Sequence, residues 1–373
     1  MKVGLPRMHR EAGEERDFLP SFVAALDSAG ATRIVVERGY GSGMGLPASA
    51  YASVSRRLVV GDLDDCLEQD CVMLIRCLNE DLFDQLKPGT LLLSMMHYTT
   101  RPERVRRLAE LGLRAVSIDG LMDDGGRRLV ENLAAVGGYG VQTAFKELGR
   151  LHPGFDDPAR PPLRATMLGS GAVGSHAVRA ASVYGDPRLR DAMVAGGVRG
   201  VEVRVVDYDL TGHESYMRPL LSATELLVDA TQRRDPTKHV VPNDSVGDMP
   251  AHAVLLDLSA DPYDFSVDPP IVKGIEGMPQ GSLDRVVFHP DDSVYARLDP
   301  RIATVHRRVA LCCDSWPGGK PRACMEIYGA QLEPFLAVML NKPTDAWNAR
   351  GSSLYERALV RAELSRWLQT RVA

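Results

Sequence analysis

The sequence lacks the features that mark membrane, secreted or nucleic-acid-binding proteins. No apolar run approaches the roughly 18 residues that cross a membrane, and the opening Met1 to Pro6 is too short for a signal peptide. The formal charge is −5 and the arginines are scattered, which gives no reason to expect nucleic acid or an anionic membrane as a partner. No internal repeat or low-complexity tract is found. These absences predict a soluble cytoplasmic protein.

Metal-binding spacings are also missing. The first three of the six cysteines are separated by five and six residues, which is not a C-x-x-C knuckle. The adjacent Cys312 and Cys313 lie in an apolar run and are predicted to be reduced core residues, which favours a reducing compartment. Five histidines show neither i, i+4 pairing nor a neighbouring cysteine pair, so no metal is predicted. They are His213, His239, His252, His289 and His306.

What the sequence does contain is a regular alternation of short apolar runs and helical patterns. It extends through residues 1–150 and starts again at Leu163, which predicts an α/β protein with two parallel sheets. The segment 150–162 contains four prolines and a glycine and is interpreted as a connection between domains. The proline- and aspartate-rich segment 262–300 is interpreted as loops that cover a cleft.

A glycine motif at 169–174 is the main functional signal. An apolar strand leads into Gly169, Gly171 and Gly174, spaced G-x-G-x-x-G, and an alanine-rich helix begins at Ala172 and Val173. The glycines permit a tight turn, a close approach to a pyrophosphate and close helix packing. The next strand ends in Asp207, whose carboxylate suits a ribose 2′-hydroxyl and disfavours a 2′-phosphate. The motif predicts NAD rather than NADP.

Two other glycine clusters compete with this motif. The run 39–45 also follows a strand, but Pro47 and a short polar helix follow it. The run 137–140 lies inside the helical pattern 129–148, which it interrupts, and is interpreted as a close helix-packing point. By motif alone the run 39–45 competes, since Gly61-Asp62 ends a strand about 20 residues on, but the loop at 169–174 is preferred as the dinucleotide fingerprint.

Several segments together resemble the alanine dehydrogenase and pyridine nucleotide transhydrogenase superfamily. They are Gly4-Leu-Pro6, Glu15-Arg16 with Pro20, the strand 92–97, the run 255–261 and the turn 312–321. Asp257-Leu-Ser-Ala-Asp261, the doubled Arg127-Arg128 and the short path from Asp207 to Glu225 favour the lysine-forming saccharopine dehydrogenase and opine-type (carboxyethylornithine synthase) branches.

The resemblance implies two Rossmann-like domains, with the nucleotide-binding domain inserted into the substrate domain and a cleft between them. The implied substrate domain is 1–150 with 320–373, and the implied NAD domain is 151–319. In this family a nicotinamide exchanges hydride with the C–N carbon of an amino acid or imine. Whether the protein forms a homo-oligomer is left open.

The resemblance also supplies candidate site residues. Arg16 matches the carboxylate-binding arginine, and its planar fork suits a bidentate contact. His97 matches the proton-transfer histidine and titrates near neutrality. Arg76 stands where the family has a lysine; it could bind a carboxylate or polarise a carbonyl but cannot act as a base. A solvated Arg16 and a core His97 are the plainer alternatives.

Two further residues have weaker assignments. Asp261 matches an aspartate near nicotinamide and substrate, and Arg128 is a candidate for a second substrate carboxylate; a turn aspartate and a solvated arginine are the alternatives. The function predicted is an NAD-dependent amino-acid, opine or saccharopine-type dehydrogenase acting on an amino acid or keto acid. A cyclodeaminase-like enzyme that recycles NAD, a catalytically degenerate NAD-binding protein and a 2-hydroxy acid dehydrogenase are the alternatives. The substrate and the direction of reaction are not predicted.

Overall fold

A computed structural model describes residues 1–8, 11–233, 235–259 and 261–372. These residues form two compact units, one of 1–132 with 320–373 and one of 133–319. The predicted boundary was residue 150, whereas the second unit starts at 133. The reason is a helix at 133–151 whose Val141, Phe145 and Leu148 are buried in the core of the second unit.

The described residues contain twelve strands and twelve α-helices. The strands are β1 Lys2–Leu5, β2 Arg33–Glu37, β3 Leu58–Gly61, β4 Cys71–Arg76, β5 Leu91–Met95, β6 Arg114–Ser117, β7 Leu163–Leu168, β8 Val201–Val206, β9 Leu226–Asp229, β10 Val254–Asp257, β11 Val287–Phe288 and β12 Val309–Cys312. The helices are α1 Pro20–Ser28, α2 Ala48–Ala52, α3 Leu63–Leu67, α4 Pro102–Glu110, α5 Leu133–Leu151, α6 Ala172–Ala181, α7 Pro187–Ala195, α8 Glu214–Leu221, α9 Asn243–Gly247, α10 Pro321–Asn341, α11 Leu354–Ala362 and α12 Leu364–Val372.

The first unit is built on a parallel sheet of order β3-β2-β1-β4-β5-β6. This is the strand order of a Rossmann fold, in which the order reverses between β1 and β4 and ligands bind beyond the carboxyl ends there. Strand β4 reads Cys-Val-Met-Leu-Ile-Arg, and its first five residues are buried, because helices cover both faces of a parallel sheet. The fold predicted from the sequence is confirmed for this unit.

The second unit has a sheet of order β11-β12-β10-β9-β7-β8, parallel except for the short β11. Its order reverses between β7 and β9. Strand β8 is the edge strand of this sheet. The segment 262–300 contains β11 and a short 3₁₀ turn at Ser293–Arg297, and is otherwise irregular.

Helix α5 corrects one detail of the sequence interpretation. It runs unbroken through the glycines at 137–140, which do not interrupt it. They are close packing points as predicted: a Cβ on Gly137 would lie 2.7 Å from the Ala177 nitrogen in α6, and one on Gly140 would lie 2.6 Å from Leu258. All six cysteines are buried free thiols. Among the described residues, no helix is long and apolar enough to cross a membrane.

Candidate functional site

The turn between β7 and α6 has the geometry that its glycines predict. Gly169 has a φ of 88°, and Gly174 packs so tightly that a Cβ would lie 2.2 Å from the Gly169 carbonyl oxygen. A Cβ on Gly171 would meet no protein atom within 4 Å, so the approach to the helix start is open there. The first α-helical hydrogen bond joins Ser175 N–H to the Gly171 carbonyl at 2.9 Å. The preceding N–H groups, including those of Ala172 and Val173, have no partner within the helix and suit an anion.

Asp207 lies beside this turn at the same edge of the sheet. Leu168 pairs with Val206 in register, and Gly169 N–H donates to the Val206 carbonyl at 2.9 Å. Asp207 is the next residue and is exposed. The strand, turn, helix and terminal acid therefore stand in the arrangement that holds a dinucleotide in Rossmann domains.

The competing glycine run 39–45 is filled by its own neighbours. A Cβ on Gly41 would lie 2.5 Å from the Tyr51 hydroxyl, and one on Gly43 would lie 2.8 Å from Glu15. The Gly41 N–H donates to Asp17 at 2.6 Å, and the following helix α2 has five residues. A carboxylate already occupies the place that an anion would take, so this run does not form a phosphate loop.

In the first unit, the candidates follow adjacent strands at one edge of the sheet. Arg16 lies in the segment after β1, Arg76 ends β4, and His97 follows β5. Because the carboxyl ends of parallel strands share an edge, these three residues are on the side where Rossmann sheets bind ligands.

Arg16 is buried and already holds a carboxylate. Its Nε and Nη2 donate to the two oxygens of Glu14 at 2.9 and 2.6 Å, and the Glu14 side chain is fully buried. Burial alone lowers the pKa of Arg16, but the ion pair with Glu14 outweighs it and raises that pKa. Its Nη1 lies 4.0 Å from the Cys324 sulfur. The arginine is therefore not the solvated residue of the plainer interpretation.

Arg76 is likewise paired with an acid. Its Nη1 contacts Glu11, whose side chain is 8% exposed, and its backbone N–H faces the Met8 sulfur at 3.3 Å. Glu11 and Arg76 meet because β1 and β4 are neighbours in the sheet. A substrate carboxylate that reached Arg76 would have to share its guanidinium with Glu11.

His97 is held at the end of β5 by Asp119. The residue adopts a left-handed conformation (φ 52°), and its backbone N–H donates to Asp119 at 3.2 Å. The second Asp119 oxygen lies 3.5 Å from Nδ1 of His97, and the Ser117 hydroxyl donates to Asp119 at 2.7 Å. The side chain of His97 is half exposed. This arrangement favours a proton on Nδ1 and leaves Nε2 to face a ligand.

Nearby cations shape the electrostatics of His97. Its pKa is lowered from the ordinary value because burial of the ring, together with Arg101, Arg104 and Arg128, outweighs the attraction of Asp119. Arg128, which follows β6 and is exposed, is one of the cations that lower this pKa. The charges of Arg128 and Arg16 also oppose the burial that raises the pKa of Tyr328. The pattern is a neutral imidazole in a positive field.

In the second unit, Asp257 belongs to a buried cluster that the sequence did not predict. Lys273 is 1% exposed, and its ammonium donates to the Asp257 carboxylate at 3.0 Å, to the Asp261 carbonyl at 2.9 Å and to the Cys312 sulfur at 3.3 Å. The Asp261 carboxylate accepts from Arg233 at 2.8 Å and is partly exposed. Asp261 is thus fixed through both its backbone and its side chain.

Asp229 completes this cluster on the neighbouring strand. It pairs in register with Asp257, and burial together with that second carboxylate raises the pKa of Asp229 to about 6. Oδ1 accepts the N–H and hydroxyl of Thr231 at 3.0 and 2.6 Å, whereas Oδ2 has no hydrogen-bond partner among the described residues. Lys273 lies in the irregular segment 262–300, where no sequence pattern identifies it. The aspartates that end β9 and β10 were the only sequence features that could have indicated this cluster.

The sequence was compared with those of known protein families. Residues 5–136 match the family described as the alanine dehydrogenase/PNT N-terminal domain. An alanine dehydrogenase of Bacillus subtilis (strain 168) is 24% identical over 244 residues, which cover 63% of this chain and 61% of that relative. The aligned part therefore spans less than two thirds of the curated relative.

Solved structures of similar fold extend over nearly the whole chain. An L-alanine dehydrogenase is 20% identical, with 97% of this chain and 94% of the other covered and a TM-score of 0.71. A transhydrogenase from Sinorhizobium meliloti is 17% identical, with coverages of 97% and 96% and a TM-score of 0.64. At these identities the structures bear on the fold alone. The fold is that of a two-domain, Rossmann-like dehydrogenase.

The sequence and fold matches together confirm the alanine dehydrogenase and pyridine nucleotide transhydrogenase superfamily as the family that this chain resembles. They do not distinguish its branches, and the preference for the saccharopine and opine-type branches stays a prediction.

Proposed function

We propose that this protein is an NAD-dependent oxidoreductase that acts on the C–N bond of an amino acid or of the corresponding imine. The observation that carries the proposal is the turn at Gly169, with an open helix start and an exposed Asp207 one residue past the paired end of β8. The sequence match to alanine dehydrogenase supports an amino acid as the substrate class. When bound, the nicotinamide supplies or accepts a hydride.

The second unit would hold the cofactor. The backbone N–H groups at the start of α6 would bind its pyrophosphate, and Asp207 would accept a hydrogen bond from a ribose 2′-hydroxyl. A 2′-phosphate would meet the Asp207 carboxylate at the same place, so NAD is preferred over NADP. Asp261 is a further candidate for the nicotinamide side, since Arg233 and Lys273 fix its position.

His97 would move the proton. With Asp119 on the Nδ1 side, Nε2 is the atom that exchanges a proton with the substrate nitrogen or with water. Because its pKa is lowered, the imidazole is neutral at pH 7 and ready to accept a proton from an ammonium substrate. Asp119 acts as a positioning residue, held in turn by Ser117.

The arginines divide into two groups by exposure. Arg128 is exposed and contributes to the positive field at His97, and would attract and bind a substrate carboxylate. Arg16 and Arg76 are more buried and already bear Glu14 and Glu11, so they would contact the substrate only by sharing. Arg76 cannot exchange protons, and proton transfer is assigned to His97.

The test is a screen for NADH consumption with 2-keto acids and either ammonia or an amino acid as nitrogen donor. We expect turnover with at least one pair, and none with the keto acid alone. In the oxidative direction, kcat/KM should fall as the pH drops through the pKa of His97, below its ordinary value of 6.5. His97→Asn should abolish this acid limb and lower kcat by about 10²-fold or more. Unchanged turnover in that variant would remove His97 from the mechanism.

A second candidate function has one observation in its favour. Arg16 and Arg76, the arginines of the predicted carboxylate site, both have acids of this chain as partners, as in a protein that binds NAD without turning over an amino acid. Tight NAD binding by calorimetry, with no turnover across the whole screen, would support that function. Turnover without net change in NADH absorbance would instead indicate a cyclodeaminase-like enzyme.

A further inference from the structure

We propose that the second unit contains a binding site for a divalent transition metal of the zinc class, formed by His152, Glu225 and His252. The sequence prediction of no metal was based on short spacings along the chain. These residues are 73 and 27 positions apart, so such spacings could not reveal them. In the fold one donor atom of each lies within 4.8 Å of the other two. The site is independent of the proposed function.

The three residues flank a helix and two strands at the amino edge of the sheet. His152 directly follows α5, Glu225 directly precedes β9, and His252 lies two residues before β10. The carboxylate is fixed, because its Oε2 accepts the N–H of Arg164 at 2.7 Å. A ligand held by such an outer contact keeps its orientation toward the metal. The two imidazoles meet edge to face, with ring centres 4.7 Å apart.

The two distances from the Glu225 carboxylate to the histidine nitrogens bracket the value expected for a tetrahedral ion. Oε1 of Glu225 lies 2.9 Å from Nε2 of His152 and 3.5 Å from Nε2 of His252. Bonds of about 2.0 to 2.1 Å to zinc place two tetrahedral ligands roughly 3.3 Å apart, between those two values. Two imidazoles and one carboxylate form a known zinc ligand set, in which water takes the fourth position.

The protein alone leaves this group incompletely satisfied. Nε2 of His252 is buried and has no hydrogen-bond partner among the described residues, although the Glu225 carboxylate faces it. A divalent ion bound to all three residues would use the buried His252 nitrogen and offset the charge of the Glu225 carboxylate.

The ion would lie away from the cofactor edge, so we assign it a structural role although its ligand set also occurs in catalytic zinc sites. Strand β9 separates Glu225 from Asp229 by four residues, roughly 13 Å of extended chain, so the ion would lie at the edge opposite the Gly169 turn. There it would join the end of α5 to the starts of β9 and β10. Its removal should affect the stability of the second unit before it affects nucleotide binding.

The test uses the full chain, stripped with a chelator and dialysed. Zn²⁺ should bind at one ion per chain by calorimetry and elemental analysis, and a saturating excess should raise the melting temperature by about 5 to 10 °C. Co²⁺ should give the visible absorption of a four-coordinate site, whereas Mg²⁺ should leave the melting temperature unchanged.

Matched variants separate this site from incidental binding. His252→Gln should abolish both the stoichiometric binding and the thermal shift, whereas His289→Gln, at an exposed histidine of the same unit, should retain them. If His252→Gln does not fold, His152→Gln replaces it, and the Co²⁺ spectrum of the unaltered protein still decides. No binding at tenfold excess of Zn²⁺, or an equal response in the His252 and His289 variants, would overturn the proposal.

Discussion

Replacing Lys273 by methionine should destabilise the second unit strongly. Methionine keeps much of the side-chain volume but removes the ammonium from Asp257, which is 2% exposed and lies beside Asp229. The buried Asp257 would then have no ammonium partner and would still lie beside the second buried carboxylate of Asp229. Removing one partner of a buried ion pair costs about 3 to 5 kcal/mol. We expect the free energy of unfolding to fall by that amount at pH 7.5.

A second substitution tests the cause of this loss. Lys273→Met combined with Asp257→Asn removes the stranded charge, so the double variant should regain at least half of the lost stability. The deficit of the single variant should also shrink at low pH. Without the lysine, the pKa of Asp257 in the folded state rises above its unfolded value, so stability is retained at low pH and lost as the pH rises through the raised pKa.

The measurement is urea unfolding followed by the fluorescence of Trp316, which is buried in the second unit and donates to the Asp257 carbonyl at 2.9 Å. Trp347 and Trp367, which belong to the first unit, are replaced by phenylalanine in every sample. Lys238→Met, at an exposed lysine of the same unit, is the control and should change stability by less than about 0.5 kcal/mol. A loss of under about 1 kcal/mol for Lys273→Met, or additive single effects, would refute the reasoning.

Three shorter predictions concern the cofactor edge of the second unit. Gly174→Ala should weaken NAD binding at least tenfold, measured by calorimetry, because the new Cβ would lie 2.2 Å from the Gly169 carbonyl; unchanged affinity would contradict the close packing. Asp207→Ser should weaken NAD binding and narrow the preference over NADP, as competitive binding would show. The stability of Asp229→Asn relative to the unaltered protein should increase by up to about 3 kcal/mol as the pH rises from 4 to 8. The reason is that the folded pKa of Asp229 is raised from 3.8 to about 6, so ionisation of this carboxyl destabilises the fold above the unfolded pKa. A pH-independent difference in urea unfolding would contradict the last prediction.

The parts that the sequence predicted well are those set by local chain geometry. The turn at Gly169 needs a positive φ, and the packing at Gly174 leaves no room for a Cβ. Glycine meets both requirements, so the residue types alone predict the turn. The buried strands were predicted for a similar reason, since β-branched and apolar runs such as β10 mark a sheet covered on both faces. The glycines inside α5 weaken the helix locally, but close packing on α6 offsets that loss. This packing joins distant segments, and the predicted interruption of the helix was wrong for that reason.

The parts that it missed depend on contacts between distant segments. The pairing of Arg76 with Glu11 follows from the neighbouring positions of β1 and β4, and that of Lys273 with Asp257 from an irregular segment folded over β10 and β12. Glu14, by contrast, is two residues from Arg16 and could have been recognised as its partner. The roles assigned to Arg16, Arg76, Arg128, His97, Asp207 and Asp261 stay predictions.

The charged residues of the first unit fall into two groups: arginines that are neutralised by acids of the chain, and an exposed arginine that can attract a substrate carboxylate. The guanidiniums of Arg16 and Arg76 are offset by Glu14 and Glu11, so these pairs contribute little net field and mainly fix the segment after β1. The positive field at His97 therefore comes in part from Arg128, which is exposed and can approach an incoming carboxylate. A substrate carboxylate bound there would raise the pKa of His97 and so make the neutral imidazole a stronger acceptor for the proton of the ammonium group. Substrate binding and proton transfer to His97 should accordingly be coupled.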